Sequence, residues 1–231
     1  MIIIFQNGDC AVVNKNKGEA AQGAKGNIID LQKELKSVLK TDFAEAVNRI
    51  DVPVTGCALF ALNELSLKFL NSVFAGKNDL KTEKRYWAII EKPSCKLPET
   101  GELTHWIETN ARTNKSFAYD KERPNCKKSS LRYAITGQGD NYLFLEIELL
   151  SGRHHQIRAQ LAAIGLHIKG DLKYGARRSE KEGGIRLHSR SLSFPNPAKI
   201  DELIHVTADP PQIDNLWRDF IQANPSLTSH K

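Results

Sequence analysis

The stretch Leu131–Leu150, LRYAITGQGDNYLFLEIELL, limits the fold more than any other part of this chain. Two apolar-rich runs, 131–136 and 142–150, flank Gly137-Gln138-Gly139-Asp140, and the second run sets Leu143, Leu145, Ile147 and Leu149 on one side of a period-two alternation. That period belongs to a strand with one buried face, and a glycine-rich break between two such runs closes a hairpin. Short runs at 2–5 and 11–13, around Asn7-Gly8-Asp9, predict two more strands, as do Cys57–Leu62, 85–91 and 185–194, the last ending at Pro195. Helical spacing appears at 28–40, with Ile28, Leu31, Leu35, Val38 and Leu39 in register. It recurs at Asn63–Phe74, with Leu65, Phe69, Leu70 and Val73 facing inward, and at Gln156–Ile164, stopped by Gly165. The tail carries one amphipathic helix, IDNLWRDFIQA. Residues 102–120 read as a strand or short helix followed by a basic loop, and 14–27, 93–101 and 121–130 as connections. Strands outnumber helices, so the expected class is α+β: a large mixed, mostly antiparallel sheet with helices packed on it. No repeat, low-complexity block or long linker divides the chain, and a single domain over 1–231 is expected.

Charge narrows the partner. The chain carries a net charge of +6 with a pI near 9.1, a balance that favours an anionic partner, nucleic acid being the commonest. The cysteines at 10, 57, 95 and 126 form no CxxC pair, and their wide spacing predicts reduced thiols and a cytoplasmic location. The N-terminus, MIIIFQNGDC, is apolar for only five residues, too short for a signal-peptide core. No apolar run approaches the roughly 20 residues of a membrane helix, so no membrane partner is expected.

Three stretches carry candidate chemistry: NRIDVPVTGCALFAL from Asn48, EKRYWAIIE at 83–91 and LLSGRHHQIRAQLAAIGLHIKGDLKYG at 149–175. Asp51 sits on a Pro- and Gly-containing loop before a buried strand, which gives a carboxylate exposure on a rigid support. Such a group is costly at the mouth of a buried segment unless it is paired or used. It reads either as a turn or cap aspartate or as a reacting carboxylate. Tyr86 reads as a core tyrosine on a strand or as a flat face for a base. His154, His155, His167 and His188 lie near one another in sequence but lack ligand spacing such as HExxH, so no metal is expected. Gly165, Gly170 and Gly175 form neither GxGxxG nor a P-loop, and no cofactor is expected.

Together the stretches resemble the RluA-type pseudouridine synthase family. The first matches that family's H-R-L-D-x-x-T-S-G motif as NRIDVPVTG, with Asn48 in place of His and Val54-Thr55 in place of Thr-Ser, while Arg49, Asp51 and Gly56 agree. Lys84-Arg85-Tyr86 matches its K-R-Y, and GRHHQIR at 152–158 with GDLKYG at 170–175 matches its longest and most specific motif. RLHSRSLSFPNP at 186–197 and IIIFQNGDCAVVNKNKG at the start are similar to its later strand and its N-terminal hairpin, so the likeness covers nearly the whole chain in order. The resemblance implies a catalytic domain with a central RNA-binding cleft and no S4-like module in front. It implies an isomerase that turns specific uridines of structured RNA, ribosomal or transfer RNA, into pseudouridine without metal or cofactor. Asp51 is then the catalytic carboxylate, Arg158 the cation that holds it ionised, and Tyr86 the ring against which a flipped uracil stacks. Arg49, Lys84, Arg85, Arg153, His155 and Gln156 form the expected RNA-binding set, with His155 and Gln156 open to a structural role as well. KTEKR (81–85), Lys127-Lys128 and ARRSEK (176–181) are expected to add phosphate contacts. A monomer is expected. A rival reading is a catalytically silent RNA-binding protein of the same fold, though such a relative would be expected to lose Asp51, Tyr86 or Arg158.

Overall fold

The computed structural model describes residues 1–77 and 80–224. In chain order the elements are β1 (Ile2–Gln6), β2 (Cys10–Lys15), α1 (Leu31–Leu39), β3 (Glu45–Ala46), β4 (Thr55–Ala61), α2 (Glu64–Phe74), β5 (Glu83–Glu91) and β6 (Thr100–Asn110). They continue with β7 (Lys115–Tyr119), β8 (Lys127–Gln138), β9 (Tyr142–Leu149), α3 (Gln156–Ala163), a 3-10 turn (Leu172–Tyr174), β10 (Leu187–Asn196), β11 (Lys199–Thr207) and α4 (Asn215–Ala223). The class is α+β, with mixed, mostly antiparallel strand pairing, as expected. The chain falls into two compact units: one of Met1–Arg85 with His188–Pro211, the other of Tyr86–Leu187 with the segment that begins at Gln212.

In the first unit the strand order is β1-β2-β4-β10, with β11 on β10. One edge of β4 pairs with β2, from Cys10↔Ala61 to Lys15↔Gly56. Its other edge is shared, β10 running parallel at Thr55 and Gly56 and β3 antiparallel at Phe60 and Ala61. Side chains alternate between faces along a strand, so β2 and β4 feed two cores at once. Cys10, Val12, Cys57 and Leu59 pack with Leu70 of α2 and with Leu192, Phe194 and Val206. Ala11, Val13, Ala58 and Phe60 pack with Leu31 and Leu35 of α1. A helix on each face buries Cys10 to Val13, and the two polar residues that complete buried β2 are held by side-chain hydrogen bonds, Asn14 to the Asp209 carbonyl and Lys15 to the Val52 carbonyl.

Both helices depart from their expected faces. Asp30 caps α1 by accepting from the Lys33 N–H, so the helix starts after Ile28 and Ile29, and those two side chains and Val38 are exposed. In α2, capped by Asn63, the buried positions are Ser66, Leu70 and Val73, while Leu65 is 80% exposed. Ser66 holds the inner face because its hydroxyl donates to Asp9 at 2.9 Å. Two strand readings are also corrected. β10 continues through Pro195 to Asn196, its register shifting at that proline, and β11, not foreseen, pairs antiparallel with it.

In the second unit the order is β5-β9-β8-β6-β7. Residues 102–120, ambiguous in sequence, form most of a hairpin, Trp106 pairing with Tyr119 and Asn110 with Lys115. The last four residues of the supposed loop 121–130 begin β8. One face packs under α4, where Trp87 and Phe144 meet Phe220 with ring centroids 4.7 and 5.3 Å apart. Burying such rings contributes about 1.5–3 kcal/mol each. The other face carries α3, whose first six residues are all buried. Among the described residues no helix is long and apolar enough to cross a membrane. All four cysteines are free thiols, and burial pushes Cys10 and Cys57 up to about 12, which leaves both unreactive.

Candidate active site

Asp51 lies in the first unit, on the segment joining β3 to β4. That segment is fixed at both ends by backbone chemistry. Asn48 accepts from the Leu59 N–H at 2.5 Å and donates to the Cys57 carbonyl at 3.4 Å, and the Val47 N–H donates to the Leu59 carbonyl at 2.8 Å. An amide side chain, which both accepts and donates, thus ties the turn to β4. The Val54 N–H donates to the Asp51 carbonyl at 2.9 Å and closes the turn itself.

The apex of the turn is held from β2. The Val52 carbonyl accepts from the Gly18 N–H at 2.9 Å and from Lys15 Nζ at 3.1 Å, and Lys15 also donates to the Asn16 carbonyl at 2.8 Å. Lys15 is fully buried. Burial lowers its ammonium to about 8, partly offset by Glu19 and Asp51. At neutral pH it is therefore a buried cation next door to the Asp51 carboxylate. Arg49, two residues away, is exposed.

Beyond the turn, Thr55 and Gly56 meet β10. Gly56 has φ +107, and a Cβ there would stand 2.2 Å from the Ser189 carbonyl oxygen, so only glycine permits this parallel approach. Fully buried His188 binds Thr55 Oγ1 through Nδ1 and the Ala208 carbonyl through Nε2, both at 2.8 Å. Burial lowers its pKa to about 4, so the ring is neutral at pH 7. With a carbonyl opposite Nε2, the proton sits there, and Nδ1 accepts the threonine hydroxyl. The same unit holds Lys84, buried with Nζ 6.0 Å from the Phe74 ring, and Arg85, paired with Glu83.

In the second unit Tyr86 lies on β5, 7% exposed, and a turn leads from β9 into α3. His155 takes a left-handed conformation, φ 52, and starts α3 without a capping hydrogen bond from its side chain. Gln156 is buried with both ends of its amide engaged. It accepts from Ser151 Oγ at 2.9 Å and the Arg153 N–H at 3.0 Å, and donates to the Ser130 carbonyl at 3.1 Å and to Gln160 at 2.9 Å. Gln160 in turn donates to the Leu103 and Ser129 carbonyls, both at 3.1 Å. Two glutamines thus seat α3 on β6 and β8, which explains buried polar residues on a core helix.

Arg158 makes a two-point fork to Asp171, Nε to Oδ2 at 2.6 Å and Nη2 to Oδ1 at 2.8 Å, with the side chains 4% and 1% exposed. Its guanidinium carbon lies 4.8 Å from the centroid of Tyr174. The Tyr174 hydroxyl accepts from the Ser116 N–H at 2.8 Å, lies 3.1 Å from the Ser116 carbonyl and 2.9 Å from His155 Nδ1. One arrangement satisfies all three: the hydroxyl donates to the carbonyl, and His155 Nδ1–H donates to the hydroxyl. Burial, then the charge of Arg158, lowers His155 to about 3 and keeps it neutral. His154 stacks on His155 with centroids 3.8 Å apart and binds Ser116 Oγ through Nδ1 at 2.9 Å. His167 Nδ1 donates to the Tyr174 carbonyl at 2.7 Å. The four histidine rings are thus occupied in hydrogen bonds, and among the described residues no group of three or more His, Cys, Asp and Glu could hold a metal ion.

The structure therefore gathers Arg49 and Asp51 on one turn, and Arg153, His155, Gln156 and Arg158 at the start of α3. Sequence reasoning passed over Lys15, Asp171 and Tyr174. The last two stand in GDLKYG, so the signal was present but carried no assigned role.

A family model described as RNA pseudouridylate synthase matches residues 9–163, a span that holds Asp51, Tyr86 and Arg158. The chain belongs to that family. A ribosomal large subunit pseudouridine synthase C of Vibrio parahaemolyticus is 27% identical over 217 residues, covering 90% of this chain and 65% of the relative. A protein of the same name from Rickettsia conorii is 31% identical over 177 residues, covering 75% of this chain and 56% of the relative. The chain thus spans less than two thirds of the length of these family members. Among solved structures, human RNA Pseudouridylate Synthase Domain Containing 1 superposes with a TM-score of 0.75 at 21% identity, covering 99% of this chain and 94% of that one. The two share the fold.

Proposed function

We propose that this protein is an RNA pseudouridine synthase that isomerises specific uridines, with ribosomal RNA as the substrate class and transfer RNA as the alternative polymer. The bond from uracil N1 to the ribose breaks, the base turns, a bond from C5 to the ribose forms, and the C5 proton is replaced by one on N1. Product and substrate have the same atoms, so no oxidant, energy source or carrier is consumed. One carboxylate suffices to open the reaction, and Asp51 is assigned that role. The observation that carries the reading is the family match across the span holding Asp51, supported by a turn that hydrogen bonds from β2 and β4 hold rigid. Rigid placement of a reacting group lowers the cost of reaching the transition state.

Tyr86 is assigned the stacking face for the flipped uracil. Arg158, aligned by its fork to Asp171, is assigned electrostatic support of the reacting carboxylate. Arg49, Lys84, Arg85 and Arg153 are assigned phosphate contacts, while His155 and Gln156 act by shaping the start of α3. The protein works in the cytoplasm as a monomer, its residues 1–231 serving as one catalytic domain. The test is to map pseudouridines in total RNA from cells with and without the gene. Loss of one or a few sites, restored by the parent gene, supports the reading; an unchanged map overturns it.

A further inference from the structure

The sheet face of the second unit that points away from α3 carries, on β6 and β7, aromatic side chains to which no role above applies. In the strand register Trp106 of β6 stands between Tyr119 of β7 and Lys128 of β8, and Phe117 lies two residues along β7, opposite Glu108. Directly opposed residues share a face, so the three rings form one cluster. Their alternating neighbours His105, Ile107 and Ser116 are buried on the other face. Phe117 is 39% exposed, and Trp106 and Tyr119 are half-buried.

Each ring has a cation beside it. The Arg123 guanidinium carbon is 3.9 Å from the Tyr119 centroid, Lys115 Nζ is 5.6 Å from that of Phe117, and Lys128 Nζ is 5.9 Å from that of Trp106. Residues 104–128 hold six Lys and Arg against three Asp and Glu. Rings on a solvated sheet face contribute little to a core, and cations alone would suit any polyanion. Rings and cations interleaved suit a chain that offers unpaired bases and phosphates together, which is single-stranded nucleic acid. Duplex RNA keeps its bases stacked inside and is read through backbone and groove, leaving the rings unused; an acidic peptide would use only the cations.

We propose that this face of β6, β7 and β8 is a second RNA contact. It binds an unpaired segment of the substrate by stacking on Trp106, Phe117 and Tyr119 and by pairing phosphates with Lys115, Arg123 and Lys128. The choice of RNA as the polymer rests on the reading of this protein as an RNA-modifying enzyme; the contact itself does not depend on isomerisation.

The test uses the full chain and a fluorescent single-stranded oligoribonucleotide of about a dozen nucleotides, about one site size, containing 4-thiouridine. Photocrosslinking is expected to join it to peptides within 104–128. Trp106→Leu with Tyr119→Leu is expected to weaken binding at least about fivefold, the low end of a stacking contact. Arg123→Gln with Lys128→Gln, both on the surface, is expected to reduce the log–log salt slope by about 1.4, or about 0.7 for each lost phosphate contact. If the aromatic variant fails to fold, the charge variant and the crosslinks decide. Crosslinks confined to other peptides, a charge variant that binds with the parental slope, or a duplex of equal length bound as tightly would each overturn the proposal, as would equal displacement by a polyglutamate peptide. Pseudouridine formation by the parent is measured separately on a structured RNA. Its absence, with the crosslinks present, removes the isomerase reading and leaves this contact standing; its presence, with both variants binding like the parent, removes this contact alone.

Discussion

Asp171→Asn removes one charge from a buried ion pair and keeps its shape. The fork between Arg158 and Asp171 has two short arms, 2.6 and 2.8 Å, and almost no solvent access. Asparagine turns one acceptor into an N–H group facing the guanidinium, so one arm becomes a clash of donors and Arg158 keeps an uncompensated buried charge. Breaking such a pair from one side costs about 3–5 kcal/mol. For a chain of this length that is a fall in Tm of about 6–20 °C, at 2–4 °C per kcal/mol. All three tryptophans, Trp87, Trp106 and Trp217, lie in the unit that holds the pair, so urea unfolding followed by tryptophan fluorescence reads the relevant core. Arg158→Leu should cost a similar amount. Arg158→Leu combined with Asp171→Leu should cost well below the sum, because the double change leaves neither charge buried alone. A loss under about 1 kcal/mol for Asp171→Asn, with additive effects in the pair of leucine changes, would show that the two charges do not depend on each other as a buried pair must.

Acid should destabilise the fold through His188. Its folded pKa is lowered to about 4 from 6.5, so between those values the unfolded chain takes up a proton that the fold refuses. This contribution is complete above pH 6.5 and is lost as pH falls toward 4, about 3 kcal/mol in all, at 1.36 kcal/mol per pH unit; His155, lowered to about 3, adds its own slope over the same window, so equilibrium unfolding against pH should show both, and His188→Gln should remove the His188 share and leave the rest. Lys15→Met fills the same space without donating to the Val52 and Asn16 carbonyls. It should keep the fold yet slow turnover about 10- to 100-fold by loosening the Asp51 turn, as read by single-turnover pseudouridine formation. Tyr86→Leu should lower turnover far more than RNA affinity, the loss being about 1–3 kcal/mol for a missing stacking face; equal losses of rate and affinity would mark the ring as core packing.

What the sequence disclosed follows from which interactions leave a periodic trace. The hairpin around Gly137–Asp140 and the strand Cys57–Leu62 were legible because apolar alternation and turn residues are local signals, and β8, β9 and β4 fall where they point. β11 was missed because KIDELIHVT has only two buried residues, Ile204 and Val206, and gains its structure by pairing along β10. Leu65 was placed inward because hydropathy alone cannot tell that Ser66 has a buried partner in Asp9. The site shows the same division. Asp51 and Arg158 stand out through motifs, and Asp171 lies inside one, but its partner 13 residues away is not written in the motif; Lys15 acts through a partner 37 residues away, a contact with no local pattern. Asn48, a departure from the family motif, has a role that only the fold discloses: its amide accepts from the Leu59 N–H and donates to the Cys57 carbonyl of β4.

The central claim is that the Asp51 carboxylate performs the isomerisation. The direct measurement is pseudouridine formed on one structured RNA, in a single turnover and with a chelator present, by the parent and by Asp51→Asn at equal bound fraction. Pseudouridine at a defined position with the parent, none above background with Asp51→Asn, and matched RNA affinity and unfolding curves for the two proteins are the predicted result. Near-parental turnover by Asp51→Asn would contradict the account.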